Sequence, residues 1–258
     1  MNIIEAMEQR KSVRSYKDEE VEEKVISQLK ESLGKPAGSL VKGNVRYEVV
    51  TGFCKEAKTG FLYGMAKINA PAMIVGIYEE EEDLVEIGFR LEKEVLELTM
   101  KGYGTCFLGT YDEETLRSYC KLSDKEKIGI VVVFGKVNEK SKFRNGALRS
   151  IAGSTKRKNY QEIMLNADNY QEEDKMVTMV KHAIMAPSAN NVQPVRVKVE
   201  EGKALFYLKE NKYLVDLGIF VAHFYLYSKE ICDKVEITKN TTGQEEIEGM
   251  KPAVMMSW

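Results

Sequence analysis

The run Ile-Gly-Ile-Val-Val-Val-Phe-Gly-Lys-Val, from Ile128 to Val137, constrains the fold of this chain most tightly. A β-branched stretch with so little polar alternation reads as a strand central in a sheet, with both faces covered. The covering layers can be sought on either side of it. Val21, Val25, Ile26, Leu29 and Leu33 follow a helical stripe, which predicts a helix over Val21–Leu33 with Asp18 as its cap and Gly34-Lys35-Pro36 as its end. Ile87, Leu91, Val95 and Leu98 do the same within Asp83–Lys101, which stops at Gly102. Glu113–Tyr119 reads as a further helix, and Val45–Val50 and Ala72–Tyr78 as strands.

After a polar, basic connector, Gly153–Lys158, the pattern starts again. Asp174–Met185 reads as a helix that must end near Pro187, since residues before proline avoid helical geometry. Val195–Val199 and Ala204–Lys209 flank Glu201-Gly202-Lys203 as a hairpin. A long apolar helix over Tyr213–Ile231 and a strand at Ala253–Met256 follow. Helices and strands occur in both parts without strict β-α-β alternation, which favours an α+β layer fold over a doubly wound parallel sheet. Each half repeats helix, loop, strand, strand, helix, and no low-complexity linker separates them. The expectation is one intertwined domain over 1–258, built of pseudo-repeats at approximately 1–165 and 166–258, with 258 residues sufficing for a sizeable core.

Charge is nearly balanced, 38 basic against 40 acidic residues, so nothing points to broad electrostatic binding of nucleic acid. No apolar run reaches the roughly 18 residues of a membrane-spanning helix, and Met1-Asn2-Ile3-Ile4-Glu5 does not begin a secretory signal. Cys54, Cys106, Cys120 and Cys232 are scattered without a CxxC pair, which gives no metal framework and suits free thiols in a reducing cytoplasm. His182 and His223, the two histidines, sit among apolar residues in helical patterns, where packing is the expected role.

Two distant segments carry the chemistry. In Arg10-Lys11-Ser12-Val13-Arg14, an extended backbone would project Arg10, Ser12 and Arg14 to one side, and two guanidinium forks with a hydroxyl suit a terminal phosphate. Taken alone, the segment reads first as a solvated basic stretch. In Ala186-Pro187-Ser188-Ala189-Asn190-Asn191-Val192-Gln193-Pro194, the hydroxyl and amide side chains can satisfy both donors and acceptors of a ligand. Alone, this is a helix-to-strand turn.

Together the segments resemble the flavin site of the nitroreductase family. The first resembles its Arg-x-Ser-x-Arg/Lys phosphate motif. Pro187, Ser188, Asn191, Gln193 and Pro194 match its Pro-Ser-x-x-Asn-x-Gln-Pro motif. Gly102-Tyr103-Gly104-Thr105-Cys106-Phe107-Leu108-Gly109 is similar to its glycine-rich turn beside the flavin ring, and Arg157-Lys158-Asn159-Tyr160-Gln161-Glu162-Ile163 to a basic segment adding a phosphate contact. The resemblance implies a three-layer α/β/α sandwich with a mainly antiparallel sheet. It also implies FMN as cofactor, held by Arg10, Lys11, Ser12, Arg14, Leu108, Gly109, Thr110, Arg157, Lys158, Pro187, Ser188, Ala189, Asn191 and Gln193. Backbone N–H groups of Gly109 and Thr110 would face flavin N5, and Lys11 is a candidate for the pyrimidine edge.

The chain departs from the common family pattern. Family members commonly carry the Pro-Ser loop soon after the first helix and work as homodimers, in which hook and loop come from different subunits. Here Gly34-Lys35-Pro36-Ala37-Gly38-Ser39-Leu40 stands at that place and lacks the Asn-x-Gln-Pro portion, while the second half has no hook. The arrangement resembles a fused branch of the family, a pseudo-dimer with one flavin site per chain, and leaves monomer or dimer of pseudo-dimers open. Val195 replaces the tryptophan that commonly follows Gln-Pro. No Gly-x-Gly-x-x-Gly follows a strand, so NAD(P)H would share the open flavin face and alternate with a small-molecule acceptor such as a nitroaromatic, quinone or flavin. Tyr63, Tyr103, Phe107 and Phe220 are candidates to line the cavity, with packing the competing role. A flavin-binding protein without reductase activity, and a cofactor-free α+β protein with chance motif matches, are the competing readings.

Overall fold

The computed structural model describes residues 1–36, 40–52, 68–138 and 156–258. Tyr63 and Cys54, and parts of the Gly34–Leu40 and Gly153–Lys158 segments, lie outside them. A short helix, α1 (Ile3–Gln9), opens the chain, where the Asn2 side chain accepts from Glu5 N–H and Glu5 accepts from Asn2 N–H, a closed capping box. There follow α2 (Glu23–Leu33), β1 (Val45–Thr51), β2 (Ala72–Tyr78), α3 (Leu84–Met100), β3 (Tyr103–Leu108), α4 (Glu113–Cys120) and β4 (Lys127–Lys136). The second half holds α5 (Tyr160–Ile163), α6 (Lys175–Ile184), β5 (Arg196–Glu200), β6 (Lys203–Tyr207), α7 (Leu214–Ile231), β7 (Glu236–Thr238) and β8 (Pro252–Ser257).

The strands form two four-stranded antiparallel sheets, ordered β1-β2-β4-β3 and β5-β6-β8-β7. The orders are the same once strands are counted within each half, and each half places its long helix, α3 or α7, between its second and third strands. The fold is thus two pseudo-repeats of one α+β unit. β4 sits between β2 and β3, as its apolar sequence requires. Val132 and Phe134 pack toward α2 and α3, while Val131 and Val133 pack toward Leu116 of α4 and Val13 of the N-terminal segment.

The two long helices lie against one another, and glycine makes this possible. A Cβ on Gly88 would come within 2.1 Å of the Val215 carbonyl oxygen, and one on Gly218 within 2.0 Å of the Val85 oxygen. Only backbones without a side chain at the crossing can approach so closely. The two contacts are reciprocal. They fall in Leu84-Val85-Glu86-Ile87-Gly88 and Leu214-Val215-Asp216-Leu217-Gly218, the clearest repeat between the halves.

Several boundaries differ from expectation. α2 starts at Glu23 rather than Val21, and its N-cap is Glu22, which makes no side-chain cap bond; Asp18 lies outside the helix. The glycine-rich segment at Gly102–Gly109 is a strand, β3, rather than a turn. Gly102 has φ of +79°, which explains glycine there, and Gly104 leaves room for Val13, whose Cγ2 would lie 2.8 Å from an added Cβ. β3 therefore seats the N-terminal segment: Ser12 bridges to Thr105 in parallel, and Val13 N–H donates to Thr105 oxygen at 2.8 Å.

Candidate functional site

The N-terminal segment, the end of β3, the start of α7 and the loop after α6 meet around a cavity of about 440 Å3. Its walls include Ser12 and Arg14, then Phe107, Leu108, Gly109, Thr110 and Ile130, all from the first half. Pro187, Ser188, Ala189, Asn190, Val215, Asp216 and Ile219 come from the second. The volume lies within the range of small-molecule and cofactor pockets. Arg14 and Ser12 give its lining a cation and a hydroxyl, and Phe107, Ile130, Val215 and Ile219 give it apolar groups.

Alternation along the extended N-terminal segment explains why Ser12 and Arg14 share the cavity while Val13 is buried on the opposite side. Arg10 leaves that line. Its guanidinium is buried, Nε lies 3.9 Å from Glu92 Oε1, and burial lowers its pKa while Glu92 works the other way. Glu92 also meets His223, whose Nε2 is 2.8 Å from Oε1, and His223 Nδ1 faces the His182 carbonyl at 3.2 Å. His223 is thus packed, as expected, but inside a buried polar cluster that supports the segment from behind. His182 stacks on Tyr227. Lys11 is exposed and does not line the cavity.

The loop after α6 is held by its own polar side chains. Ser188 Oγ accepts from Gln193 N–H at 2.9 Å, and Asn191 N–H donates to the Ser188 carbonyl at 3.0 Å. Asn190, Asn191 and Gln193 have φ of +49°, +55° and +52°, a left-handed succession that asparagine tolerates better than most residues. The Asn191 side chain accepts from Arg157 and donates to Lys156 oxygen, and Gln193 Oε1 accepts from Lys158 N–H at 2.9 Å. Asn191, Gln193, Arg157 and Lys158 are therefore brought together as braces behind the loop, and Pro187, Ser188 and Ala189 are the predicted loop residues that line the cavity. Burial lowers the pKa of both Arg157 and Lys158.

Leu108, Gly109 and Thr110 reach the cavity at the end of β3. An added Cβ on Gly109 would find nothing closer than 3.9 Å, so the protein itself leaves open space there. Phe107 lines the cavity, and Phe220 lines an apolar recess beside it, with Ile163, Ile184 and Val195. Tyr103 does not reach it: its hydroxyl donates to Glu22 and Lys136 lies over its ring, so packing wins at this position.

The residue that sequence reasoning passed over is Asp216. It stands in the first turn of α7, 7 % exposed, and lines both the cavity and the recess. Its Oδ1 accepts from Ala189 N–H at 3.0 Å, tying the loop to the helix, while Oδ2 is buried with no hydrogen-bond partner among the described residues. Burial pushes its pKa up to about 6, against the opposing pull of the Ala189 N–H. The signal was available in the Leu-Val-acid-aliphatic-Gly repeat, which puts Asp216 opposite Glu86.

The fold and this shared cavity define an α+β protein of nitroreductase-like architecture. The family model described as "Putative TM nitroreductase" matches residues 2–228, and the chain belongs to that family. Among solved structures, a "putative nitroreductase" from Thermotoga maritima is 24% identical, with a TM-score of 0.66, covering 100% of this chain and 93% of that one. A nitroreductase with bound FMN from Desulfitobacterium hafniense is 19% identical, with a TM-score of 0.44, covering 54% of this chain and 90% of that one. A nitroreductase family protein from Clostridium novyi is 19% identical, with a TM-score of 0.46, covering 55% and 88%. No curated protein matches the chain. Among the described residues, no helix is long and apolar enough to cross a membrane.

Proposed function

We propose that the chain is an FMN-dependent oxidoreductase that takes hydride from NADH or NADPH and passes it to a nitroaromatic, quinone or flavin acceptor in alternating half-reactions. One observation carries the reading: Ser12 and Arg14 of the Arg-x-Ser-x-Arg segment and Pro187–Ala189 of the Pro-Ser loop line the same cavity. The residues present fit FMN. Arg14 and Ser12 supply the charge and the hydroxyl donor that a phosphate monoester takes. Phe107, Ile130, Val215 and Ile219 supply apolar surface for a ring system, and Ser188 and Asn190 supply polar groups for its edge or side chain. The bound flavin supplies the two-electron hydride chemistry, which no side chain could. The protein's part is to hold and orient it, with Leu108–Thr110 as the backbone beside the ring and Asn191, Gln193, Arg157 and Lys158 bracing the loop.

A single flavin per chain follows from the asymmetry of the halves, and makes the fused chain a pseudo-dimer. In the first half, at the position that corresponds to Phe220 of the recess, Arg90 donates to Ser32 oxygen at 3.0 Å and to Pro36 oxygen at 2.9 Å, and lies 3.8 Å from Glu86. In the second half the residue corresponding to Arg90 is Phe220, an apolar side chain that lines the recess beside the cavity.

The test is the visible spectrum of the purified protein, reconstituted with FMN, followed by NADH or NADPH without oxygen. One flavin per chain that bleaches with a reduced nicotinamide and recovers with a quinone supports the proposal. Flavin that is held but stays oxidised with both donors refutes the reductase part, and no retention refutes the site.

A further inference from the structure

β1 is an edge strand, and no described residue hydrogen-bonds to the outer side of its backbone. The Asn44 oxygen accepts from Glu79 N–H at 3.3 Å, and Val45 faces Tyr78. Bonded and non-bonded pairs alternate along an antiparallel ladder, so Arg46 and Glu48 direct their backbone groups to β2. The N–H and C=O groups of Val45, Tyr47 and Val49 point away from the sheet.

The matching edge in the second half is covered. β1 and β5 hold the same place in their sheets, and Val45-Arg46-Tyr47-Glu48-Val49 corresponds to Val195-Arg196-Val197-Lys198-Val199. There the Val197 oxygen accepts from Leu165 N–H at 2.8 Å. The Asn166 side chain donates to the Val199 oxygen at 2.7 Å and accepts from Val199 N–H at 3.2 Å. Tyr47 and Val49 have no such cover among the described residues. Edges left open are commonly blunted by lysine, proline or a bulge. β1 has seven residues, neither lysine nor proline, and an unbroken register against β2.

We propose that β1 pairs with β1 of a second copy of this chain, antiparallel about a two-fold axis at Tyr47, joining two first-half sheets into one of eight strands. The inference does not rest on the oxidoreductase reading. Outward-pointing residues must face outward-pointing residues for both edges to bond, so the axis passes through a residue. An axis at Arg46 sets that arginine against itself, and one at Glu48 sets two glutamates face to face. An axis at Tyr47 sets each Arg46 against Glu48 of the other copy and each Val45 against Val49. Opposite charges directly across a ladder attract and like charges repel. Axes further along the strand shorten the ladder.

The surroundings suit this register. Arg46 Nη1 donates to Glu48 Oε1 of its own strand at 2.6 Å, and Glu126 holds the same guanidinium, so pairing closes two arginines and two glutamates into one network. Val45, Tyr47 and Val49 pack on the opposite face, toward α2 and α3. There a groove of about 380 Å3 runs between them and the end of α2 at Leu33 and Pro36, with room for the valines of the other copy. Lys30 and Lys35 also line it, but both are exposed and keep their ammonium groups in water. The covered edge lacks this self-complementarity: about its own centre, Arg196 would meet Lys198.

Sedimentation velocity of the full chain over a concentration series tests the pairing. The wild type should reach twice the 29.3 kDa of one chain at micromolar concentration. E48K introduces the residue type found at the matching place in the second half and sets it against Arg46 of the other copy. Its dissociation constant should rise by about tenfold or more. R46E sets glutamates against each other and should do the same. Mixed together, the two variants restore both attractions, and a dimer with one copy of each should form. Melting curves establish that each variant is folded; should R46E not fold, E48K against the wild type decides. A wild type that sediments as a single chain at every concentration, as it would with another segment of the same chain lying on β1, overturns the inference. So does E48K that associates like the wild type, or a mixture of folded variants that stays single-chain. None of these outcomes bears on the flavin site, because no β1 residue lines its cavity.

Discussion

Replacing Gly218 with alanine tests the helix crossing that places the start of α7 against the cavity. The new methyl would lie 2.0 Å from the Val85 oxygen and 2.6 Å from the Phe89 nitrogen, where ordinary contact begins at 3.4 Å. Both obstacles are backbone, so no rotamer change relieves them, and the helices must part by roughly 1.4 Å, the difference between 3.4 and 2.0 Å. A gap of that size forfeits about half of the dispersion energy along the seam, and strain of this kind costs about 3–5 kcal/mol. Alanine returns about 1 kcal/mol through its helix propensity. The net loss is about 2–4 kcal/mol, which lowers the melting temperature by roughly 4–16 °C for a chain of this size. Gly88→Ala meets the Val215 oxygen at 2.1 Å and should cost the same. The double variant decides the argument, because helices already parted for one methyl have room for the second. Chemical denaturation should give a combined loss at least about 1 kcal/mol smaller than the sum. Two near-neutral single variants, or losses that add within about 0.5 kcal/mol, would refute the reciprocal close approach.

Three further outcomes are expected. Arg14→Ala should weaken FMN binding by about 10–100-fold in a fluorescence titration, the worth of a charge-assisted phosphate contact, while its melting temperature without flavin changes little. Because the folded carboxyl of Asp216 is raised to about 6 from 3.8, the stability it confers is present below the unfolded value and lost as pH rises through about 6. The stability of D216N relative to wild type should therefore climb by about 2 kcal/mol between pH 4 and pH 7 in paired urea titrations, and a flat difference would contradict the buried acid. Glu92→Ala should cost about 3–5 kcal/mol by leaving His223 buried without its hydrogen-bond partner and Arg10 without its counter-charge, and Glu92→Ala/His223→Ala should cost less than the two single losses together.

Strands and long helices were legible where burial imposed a pattern, as in β4 and in the stripes of α2 and α3. Segments defined by contacts across the chain were not. The resemblance made Gly102–Gly109 a glycine-rich turn; Tyr103–Leu108 is a strand because β4 and the N-terminal segment lie on either side of it. The capping box of Asn2 and Glu5 was a local sign of α1, but the helix is only seven residues long and gives no sustained stripe. At the site, the sequence pointed to both motifs without resolving their duties. Asn191 and Gln193 have the chemistry to bind a ligand, and only the fold shows that Lys156–Lys158 already engage them. Asp216 was hidden for the opposite reason: an acid at a helix start reads as ordinary capping chemistry, and its isolation depends on Phe220 and the loop above it.

The cavity walls come from residues 12–130 and 187–219 of the same polypeptide. In a site assembled from two separate molecules, dilution below their dissociation constant takes the pocket apart. Here the second wall is tethered to the first, and its effective concentration is fixed by the connecting chain whatever the amount of protein present. The tether also removes a genetic constraint. In a symmetric pair every substitution is made twice, so a cation placed in one half appears in both. In this chain, Arg90 stands in one half and Phe220 at the matching place in the other, a difference that identical subunits could not encode.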